Sequence, residues 1–186
     1  MNKPTQPSKN LIVTEGKDDI YVFHHLLAHY QIAKGVIDFK SYEGITQLLE
    51  VLPVQLRESG LARLGIVVDA DDDLTARWNS LKHILMKAGY SDLPADPLPE
   101  GTIVDEEGPA DIFTEDGDKM ITEDGAVIVQ EGLPKIGIWL MPDNSLPGML
   151  EDFVRHLVPS NDLLWNRAEV CVNSIPAEQR PFKEKL

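Results

Sequence analysis

The stretch GIVVDADDD, Gly65–Asp73, carries the clearest structural signal of the sequence, because an apolar run passes directly into a cluster of four carboxylates. Ala62–Val68 has the length and the apolar character of a buried β-strand. Leu74–Ala88 follows with apolar residues at helical spacing, and Gly89 is the predicted C-cap. The sequence therefore predicts a strand that ends in carboxylates and leads at once into a helix.

The same strand–helix pattern occurs on both sides of this stretch. Apolar strands without alternation, separated by amphipathic helices, predict an α/β fold with a mainly parallel sheet flanked by helices. The other predicted strands are Asn10–Thr14, Val36–Phe39 and Lys135–Met141, and the other predicted helices are Lys17 to about Ala33, Ile45–Val54, Pro147–Leu157 and Asp162–Val172.

An acidic segment, Asp92–Glu131, interrupts the pattern. It holds 13 acidic residues and one base, in a chain whose formal net charge is −14. Four prolines and a repeated TEDG, at Thr114–Gly117 and Thr122–Gly125, are turn signals. We expect an insertion that is part loop and part β-hairpin, with Ala126–Val129 as one of its strands.

Length and composition predict one domain over residues 1–186, with its core in about 10–90 and 135–172. The chain is 42% hydrophobic, which is enough for a sizeable core. No apolar run is long enough to span a membrane, and the polar start MNKPTQPSKN does not resemble a secretory signal. We therefore expect a cytoplasmic protein in which the one cysteine, Cys171, is reduced and packed.

Carboxylates follow three of the predicted strands. Glu15 ends the first, Asp69 and Asp71 end the third, and Asp143 follows the strand at 135–141. The carboxyl ends of parallel strands share one edge of the sheet, where ligands bind in open α/β folds. Asp69 and Asp71 would point to the same side if extended geometry continues through both. Hard carboxylate oxygens in such a group favour Mg²⁺ or Mn²⁺.

Other acids lie near this edge, and for most of them a role at a helix N-terminus is the alternative to metal binding. Asp19 shares a helix side with Phe23 and Tyr30 and could face the same crevice, whereas Asp72 and Asp73 are typical helix N-caps. Glu151 is in the first turn of a predicted helix, where the helix dipole alone favours an acid.

Two further patterns carry weaker signals. His25 and His29 have the spacing of a zinc-binding pair, but they lie opposite the apolar face of their helix and solvated surface is the better interpretation. The tryptophans Trp78, Trp139 and Trp165 are interpreted as core residues. Of the basic residues, Lys17 is the first candidate for a phosphate contact, and Lys40, Arg63, Arg77, Lys82 and Lys87 are further ones.

Two motifs on successive βα units together resemble the TOPRIM domain of topoisomerases, bacterial primases and OLD-family nucleases. They are VTEGKDD, Val13–Asp19, and VDADD, Val68–Asp72. The segment Ile138–Phe153, IWLMPDNSLPGMLEDF, extends the resemblance to small TOPRIM proteins that are related to the OLD nucleases. The resemblance implies a Rossmann-like TOPRIM fold and phosphodiester chemistry.

Carried over by position, the resemblance also implies roles for individual residues. Glu15 would be the general acid/base or a metal ligand. The implied Mg²⁺ or Mn²⁺ ligands are Asp69 and Asp71, with Asp73 as a third acid of the motif and Asp19 and Glu151 for a second ion.

The leading functional expectation is an enzyme that cleaves nucleic acid, DNA in the first instance, with a divalent metal, Mg²⁺ or Mn²⁺. A separate ATPase partner and a role in DNA repair or defence against foreign DNA follow from the resemblance to OLD nucleases. A non-catalytic TOPRIM module that binds metal or protein is the alternative. A third candidate is a metal-dependent glycosyltransferase, because VDADD also resembles the D-x-D strand end of that class.

Overall fold

The computed structural model describes residues 9–106, 110–111, 122, 129–130 and 132–179, which form an α/β fold around a five-stranded sheet. The strands are β1 (Lys9–Thr14), β2 (Asp38–Ser41), β3 (Leu61–Asp69), β4 (Thr102–Val104), β5 (Ala110–Asp111), β6 (Val129–Gln130) and β7 (Lys135–Met141). The helices are α1 (Lys17–His29), α2 (Ile45–Gln55), α3 (Leu74–Ala88), α4 (Leu150–Leu157) and α5 (Leu163–Asn173), followed by a short 3₁₀ turn at Ala177–Gln179.

The main sheet has the strand order β2-β1-β3-β7-β4 and is mostly parallel. β3 lies between β1 and β7 and pairs in parallel with both, whereas β4 is antiparallel at the edge next to β7. β5 and β6 form a separate antiparallel pair. The expected α/β architecture, with a mainly parallel sheet flanked by helices, is confirmed.

The core lies on the face of the sheet that α2 and α3 cover. Alternate residues of the three central strands point into it, and the two helices contribute leucines and the fully buried Trp78. The strand residues in this core are Leu11 and Val13 of β1, Leu64, Ile66 and Val68 of β3, and Ile136, Ile138 and Leu140 of β7. This burial of large apolar side chains is the main source of stability.

On the opposite face, α1 packs over β1 and β2. Phe23 of α1 lies with its ring centroid 6.3 Å from that of Phe39, which pairs with Ile12 across the two strands. Further across this face the strands carry Gly65 and Gly137, which are partners in register. The two faces are therefore unequal, with large buried side chains on one and smaller, partly exposed residues on the other.

Several predicted boundaries are confirmed and others shift. The bounds of α3 and β7 are as predicted, and Gly89 ends α3 in the left-handed conformation. β2 begins two residues later than expected, and α1 ends at His29, so that its C-cap Tyr30 is 71% exposed and does not extend the apolar face.

The acidic segment contributes a strand to the main sheet, which the sequence did not predict. β4 pairs with β7, and Glu106 just after β4 accepts hydrogen bonds from the backbone N–H groups of Ser91 and Asp92. The start of the insertion is thus tied to the end of α3. The predicted strand Ala126–Val129 lies outside the described residues except for Val129, which begins β6.

Other expectations concern exposure. Cys171 is exposed on α5, so the prediction that it is packed is wrong, because α5 has no buried residue among those described. His25 and His29 are exposed, as expected for solvated surface. Trp78 is a core residue, whereas Trp139 and Trp165 are only partly buried. Within the described ranges, no helix is both long and apolar enough to cross a membrane.

Candidate carboxylate site

The candidate site lies where the order of the parallel strands reverses. The chain passes from β1 outward to β2 on one side and then returns to β3 on the other, so β1 and β3 are neighbours with diverging connections. Such a switch point opens a crevice at the carboxyl ends of the two strands. Glu15 directly follows β1, and Asp69 is the last residue of β3.

Glu15 reaches across the crevice to the end of β3. Its Oε1 accepts a hydrogen bond of 2.9 Å from the backbone N–H of Asp69. Burial raises the pKa of Glu15 above its usual value, and this hydrogen bond and the charge of Arg77 oppose the rise only in part. Glu15 is therefore a carboxylate held in position, with a proton affinity above that of an exposed glutamate.

Asp69 is the most perturbed acid of the site. Its Oδ1 accepts a 3.0 Å hydrogen bond from the backbone N–H of Leu150, the first residue of α4. Burial first, and then the negative charges of Glu15 and Asp19, raise the pKa of Asp69 to about 7.

Asp19 faces the same crevice, as its position on the helix predicted. It is the third residue of α1, is 7% exposed and accepts a 2.9 Å hydrogen bond from the backbone N–H of Gly16. This bond satisfies a backbone donor at the start of the helix. Burial raises the pKa of Asp19, and its charge in turn raises that of Asp69.

Asp71 takes a different orientation from the one that strand alternation predicted. The extended geometry stops at Asp69, because Asp71 has a positive φ of 53°. Its backbone N–H and C=O both pair with Gly148 at 2.8 Å, and its Oδ2 lies 2.5 Å from the guanidinium of Arg77. Arg77 also donates from Nε to the carbonyl oxygen of Asp69 at 2.8 Å.

Two of the other predicted metal ligands have local roles. Asp73 is the N-cap of α3 and accepts a 2.9 Å hydrogen bond from the backbone N–H of Ala76, as its capping interpretation predicted. Glu151 is exposed in the first turn of α4, although its charge contributes to the raised pKa of Asp19. Asp72, which precedes Asp73, is exposed and caps no described helix.

The remaining candidates lie at the margin. Asp143 stabilises its own turn, since its Oδ1 accepts hydrogen bonds from the backbone N–H groups of Ser145 and Leu146. Lys17 is exposed as the first residue of α1, beside the Glu15–Gly16 turn. The structure thus brings together Glu15, Asp19 and Asp69 with Asp71 and Arg77 alongside, and leaves the other candidates at the rim.

Arg77 and the N-terminus of α4 contribute more to the site than the sequence indicated. Arg77 was one of six general candidates for a phosphate contact, yet it is the one that touches the carboxylate group. Its signal was available, because a cation in the first turn of a helix opposes the helix dipole and needs a partner. The N-terminus of α4, which donates to Asp69, could not be predicted because the loop before it determines its position.

The chemistry of these donors suits a hard divalent cation. Glu15 and Asp69 each use one oxygen in a hydrogen bond, and the second oxygen accepts none from the described residues. Burial and then the negative charges of Glu15 and Asp19 raise the pKa of Asp69, and a nearby cation would favour its ionised form. As the described side chains stand, however, no three His, Cys, Asp or Glu residues form a ready-made ion-binding group.

Comparison with known proteins gives one match. The family described as "Protein of unknown function (DUF3226)" matches residues 9–186, so the chain belongs to this family. No curated protein and no solved structure matches the chain.

Proposed function

We propose that this member of the DUF3226 family is a Mg²⁺- or Mn²⁺-dependent enzyme that cleaves phosphodiester bonds of nucleic acid, DNA in the first instance, with a TOPRIM-like site. The observation that carries the proposal is the meeting of Glu15 and Asp69 at the β1/β3 switch point. Asp69 is half-buried, and burial together with the charge of the half-buried Glu15 raises its pKa, so the ionised pair costs folding free energy that a bound cation would offset.

Glu15 and Asp69 are the central residues that would hold the ion. When bound, a divalent ion neutralises charge on the phosphate and lowers the pKa of a coordinated water. Asp19 adds negative charge behind this pair, and the Leu150 N–H fixes the orientation of Asp69. Asp71, Asp73 and Glu151 remain ligands predicted from the sequence alone.

The reaction is hydrolysis, and its proton transfers involve Glu15. An oxygen of water forms a bond to phosphorus, the phosphorus–oxygen ester bond breaks, and water loses one proton while the leaving oxygen gains one. Burial raises the pKa of Glu15 in the metal-free protein. Beside the ion, its carboxylate would accept a proton from the attacking water and return it to the leaving oxygen. Its hydrogen bond to the backbone of Asp69 keeps it at a fixed place during this exchange.

The resemblance to OLD-family nucleases supports a biological setting for this activity. A separate ATPase would then act as the partner, in DNA repair or in defence against foreign DNA. Most of the formal net charge of −14 belongs to Asp92–Glu131, with its 13 acids and one base, and the rest of the chain is close to neutral. The chain therefore offers nucleic acid little net attraction, and a partner that supplies basic surface is consistent with the composition.

A non-catalytic module is the second candidate, and one observation favours it. The four acids of the site, Glu15, Asp19, Asp69 and Asp71, already accept hydrogen bonds or pair with Arg77. No ready-made ion-binding group is formed among the described residues. A domain of this kind would bind a metal or a protein partner without cleaving nucleic acid.

Cleavage of plasmid and single-stranded DNA with Mg²⁺ and with Mn²⁺ tests the proposal. Wild type is compared with Glu15→Gln and Asp69→Asn, which keep the hydrogen-bonding shape while removing charge. Asp72→Asn is the matched control, because it removes the same charge from an exposed residue of the same turn.

We expect both site variants to lose activity by roughly 10²-fold or more and the control to retain it. Cleavage that persists in Glu15→Gln and Asp69→Asn would overturn the assignment of the site. If the wild type binds Mn²⁺ by calorimetry and cleaves neither DNA, the non-catalytic module is the better account.

A further inference from the structure

Arg77 is a fixed positive charge inside the carboxylate site. Its side chain is 13% exposed, and two contacts anchor it: Nε donates to the carbonyl oxygen of Asp69 and a terminal nitrogen donates to Asp71. The guanidinium has five N–H groups in a rigid planar fork. Because two of these N–H groups are already hydrogen-bonded, the orientation of the guanidinium is fixed. Its remaining N–H donors lie in the same plane.

The position of Arg77 is unfavourable on local grounds. It is the fourth residue of α3, where the positive end of the helix dipole repels a cation. An exposed arginine in the first turn of a helix would extend its side chain outward into water. Here it turns inward, toward Asp71 and the end of β3, and it lowers the pKa of Glu15 through its charge.

Asp71 is committed to this arginine and to the loop before α4. Its carboxylate is 36% exposed and pairs with Arg77 at 2.5 Å, while its backbone is paired on both sides with Gly148. Such a charge-assisted bond is short and strong, so displacing it for a metal ligand would leave Arg77 half-buried without its partner. The carboxylate of Asp69, in contrast, accepts from the backbone N–H of Leu150 and from no other donor among the described residues.

We propose that Arg77 takes the place of a second metal ion. The site holds one divalent ion, at Glu15 and Asp69, and Arg77 supplies the second positive charge by donating to the non-bridging oxygens of the phosphate. Asp71 is then the residue that positions Arg77, rather than a metal ligand. This inference rests on the proposed phosphodiester chemistry and specifies how the phosphate is recognised.

Titration with Mn²⁺ by calorimetry tests the metal part without any turnover. We expect one ion per wild-type chain, and loss of binding in Asp69→Asn. Asp71→Asn should keep the stoichiometry of one and change the affinity by less than about threefold, which is the effect of a nearby charge and not of a lost ligand. Asparagine tolerates the positive φ at this position, so the backbone pairing is retained. Asp72→Asn gives the reference for removing one exposed acid.

Arg77→Gln should act in opposite directions on the two ligands. Removing a cation beside the ion should tighten Mn²⁺ binding by roughly tenfold. Binding of a fluorescein-labelled single-stranded 20-mer in Ca²⁺, measured by anisotropy, should weaken by roughly tenfold. Arg57→Gln is the matched control, since Arg57 is exposed just after α2 at the opposite end of the sheet, and it should change neither.

Two outcomes would overturn the inference while leaving the proposed function intact: two Mn²⁺ ions bound per wild-type chain, or a loss of Mn²⁺ binding in Asp71→Asn as large as in Asp69→Asn. Unchanged 20-mer affinity in Arg77→Gln would likewise refute the phosphate contact. If the wild type binds no Mn²⁺, the proposed function itself fails and the inference with it. Thermal unfolding of each variant separates these results from loss of the fold.

Discussion

Replacing Asp69 by asparagine should stabilise the metal-free protein at high pH. Because Asp69 has a raised pKa in the folded state, the folded protein binds more protons than the unfolded chain between about pH 4 and pH 7. Stability therefore falls as the pH rises through this range, and the full deficit is present above pH 7. Asparagine carries no charge to desolvate, and its amide oxygen can still accept from the Leu150 N–H.

The size of the effect follows from the shift. The pKa rises from 3.8 to about 7. About 1.5 units of this rise lie above pH 5.5, which at ~1.4 kcal/mol per unit is a ceiling of roughly 2 kcal/mol. Since coupled carboxylates share the proton and solvent screens part of the interaction, we expect the advantage of Asp69→Asn to grow by about 1–2 kcal/mol between pH 5.5 and pH 8.5. In a chain of this size that is a rise of about 3–6 °C in the relative Tm.

Thermal and urea unfolding in EDTA at pH 5.5, 7 and 8.5 would measure how the stability of Asp69→Asn relative to wild type changes with pH. The lower limit stays above the isoelectric point near 4.6, where solubility falls. Asp72→Asn is the control, because it removes an exposed charge from the same turn and should show no growing advantage. A constant loss of stability in Asp69→Asn at every pH would refute the reasoning, because Asp69 would then act as a structural acceptor without electrostatic strain.

The other expected outcomes rest on local geometry. Gly65→Ala should lower the free energy of unfolding by about 1–3 kcal/mol, because the new Cβ would lie 2.9 Å from Ile12, whereas Gly137→Ala has no heavy atom within 4 Å and should be near neutral; urea unfolding compares the two. Gly148→Ala should cost about 1–3 kcal/mol, since φ is +149° and a carboxylate oxygen would lie 2.8 Å from the Cβ; equal stability to wild type would contradict it. Cys171 should react with a thiol reagent in the native protein as fast as in urea, and slow native labelling would mean that α5 is covered.

Strong periodicity made much of the fold predictable. Leu74–Ala88 has an apolar face, an aspartate N-cap and a glycine C-cap, and all of these signals agree on the same helix. Lys135–Met141 is an apolar run bounded by prolines, so its limits were also clear. β4, in contrast, has three residues in a proline-rich acidic segment, and its pairing with β7 depends on tertiary contacts that no local pattern contains.

The candidate site was predictable in position and less so in detail. Strand ends place Glu15 and Asp69 at one edge whatever the side chains do, and this follows from parallel pairing alone. The orientation of Asp71 was not predictable, because it depends on a positive φ and on backbone pairing with Gly148, far along the chain. The alternation of side chains between the two faces applies only within a β-strand, and β3 ends at Asp69, before Asp71.

The central position of β3 has a consequence for the time course of folding. Gly65 pairs with Ile12 on one side and with Gly137 on the other, so each pairing closes a long loop before it gains any contact. The carboxylates at the end of β3 can meet only once these distant strands have docked. The backbone amides in the middle of β3, around the fully buried Ile66, should then exchange with deuterium only as rapidly as the whole domain opens, because they lie between two paired strands.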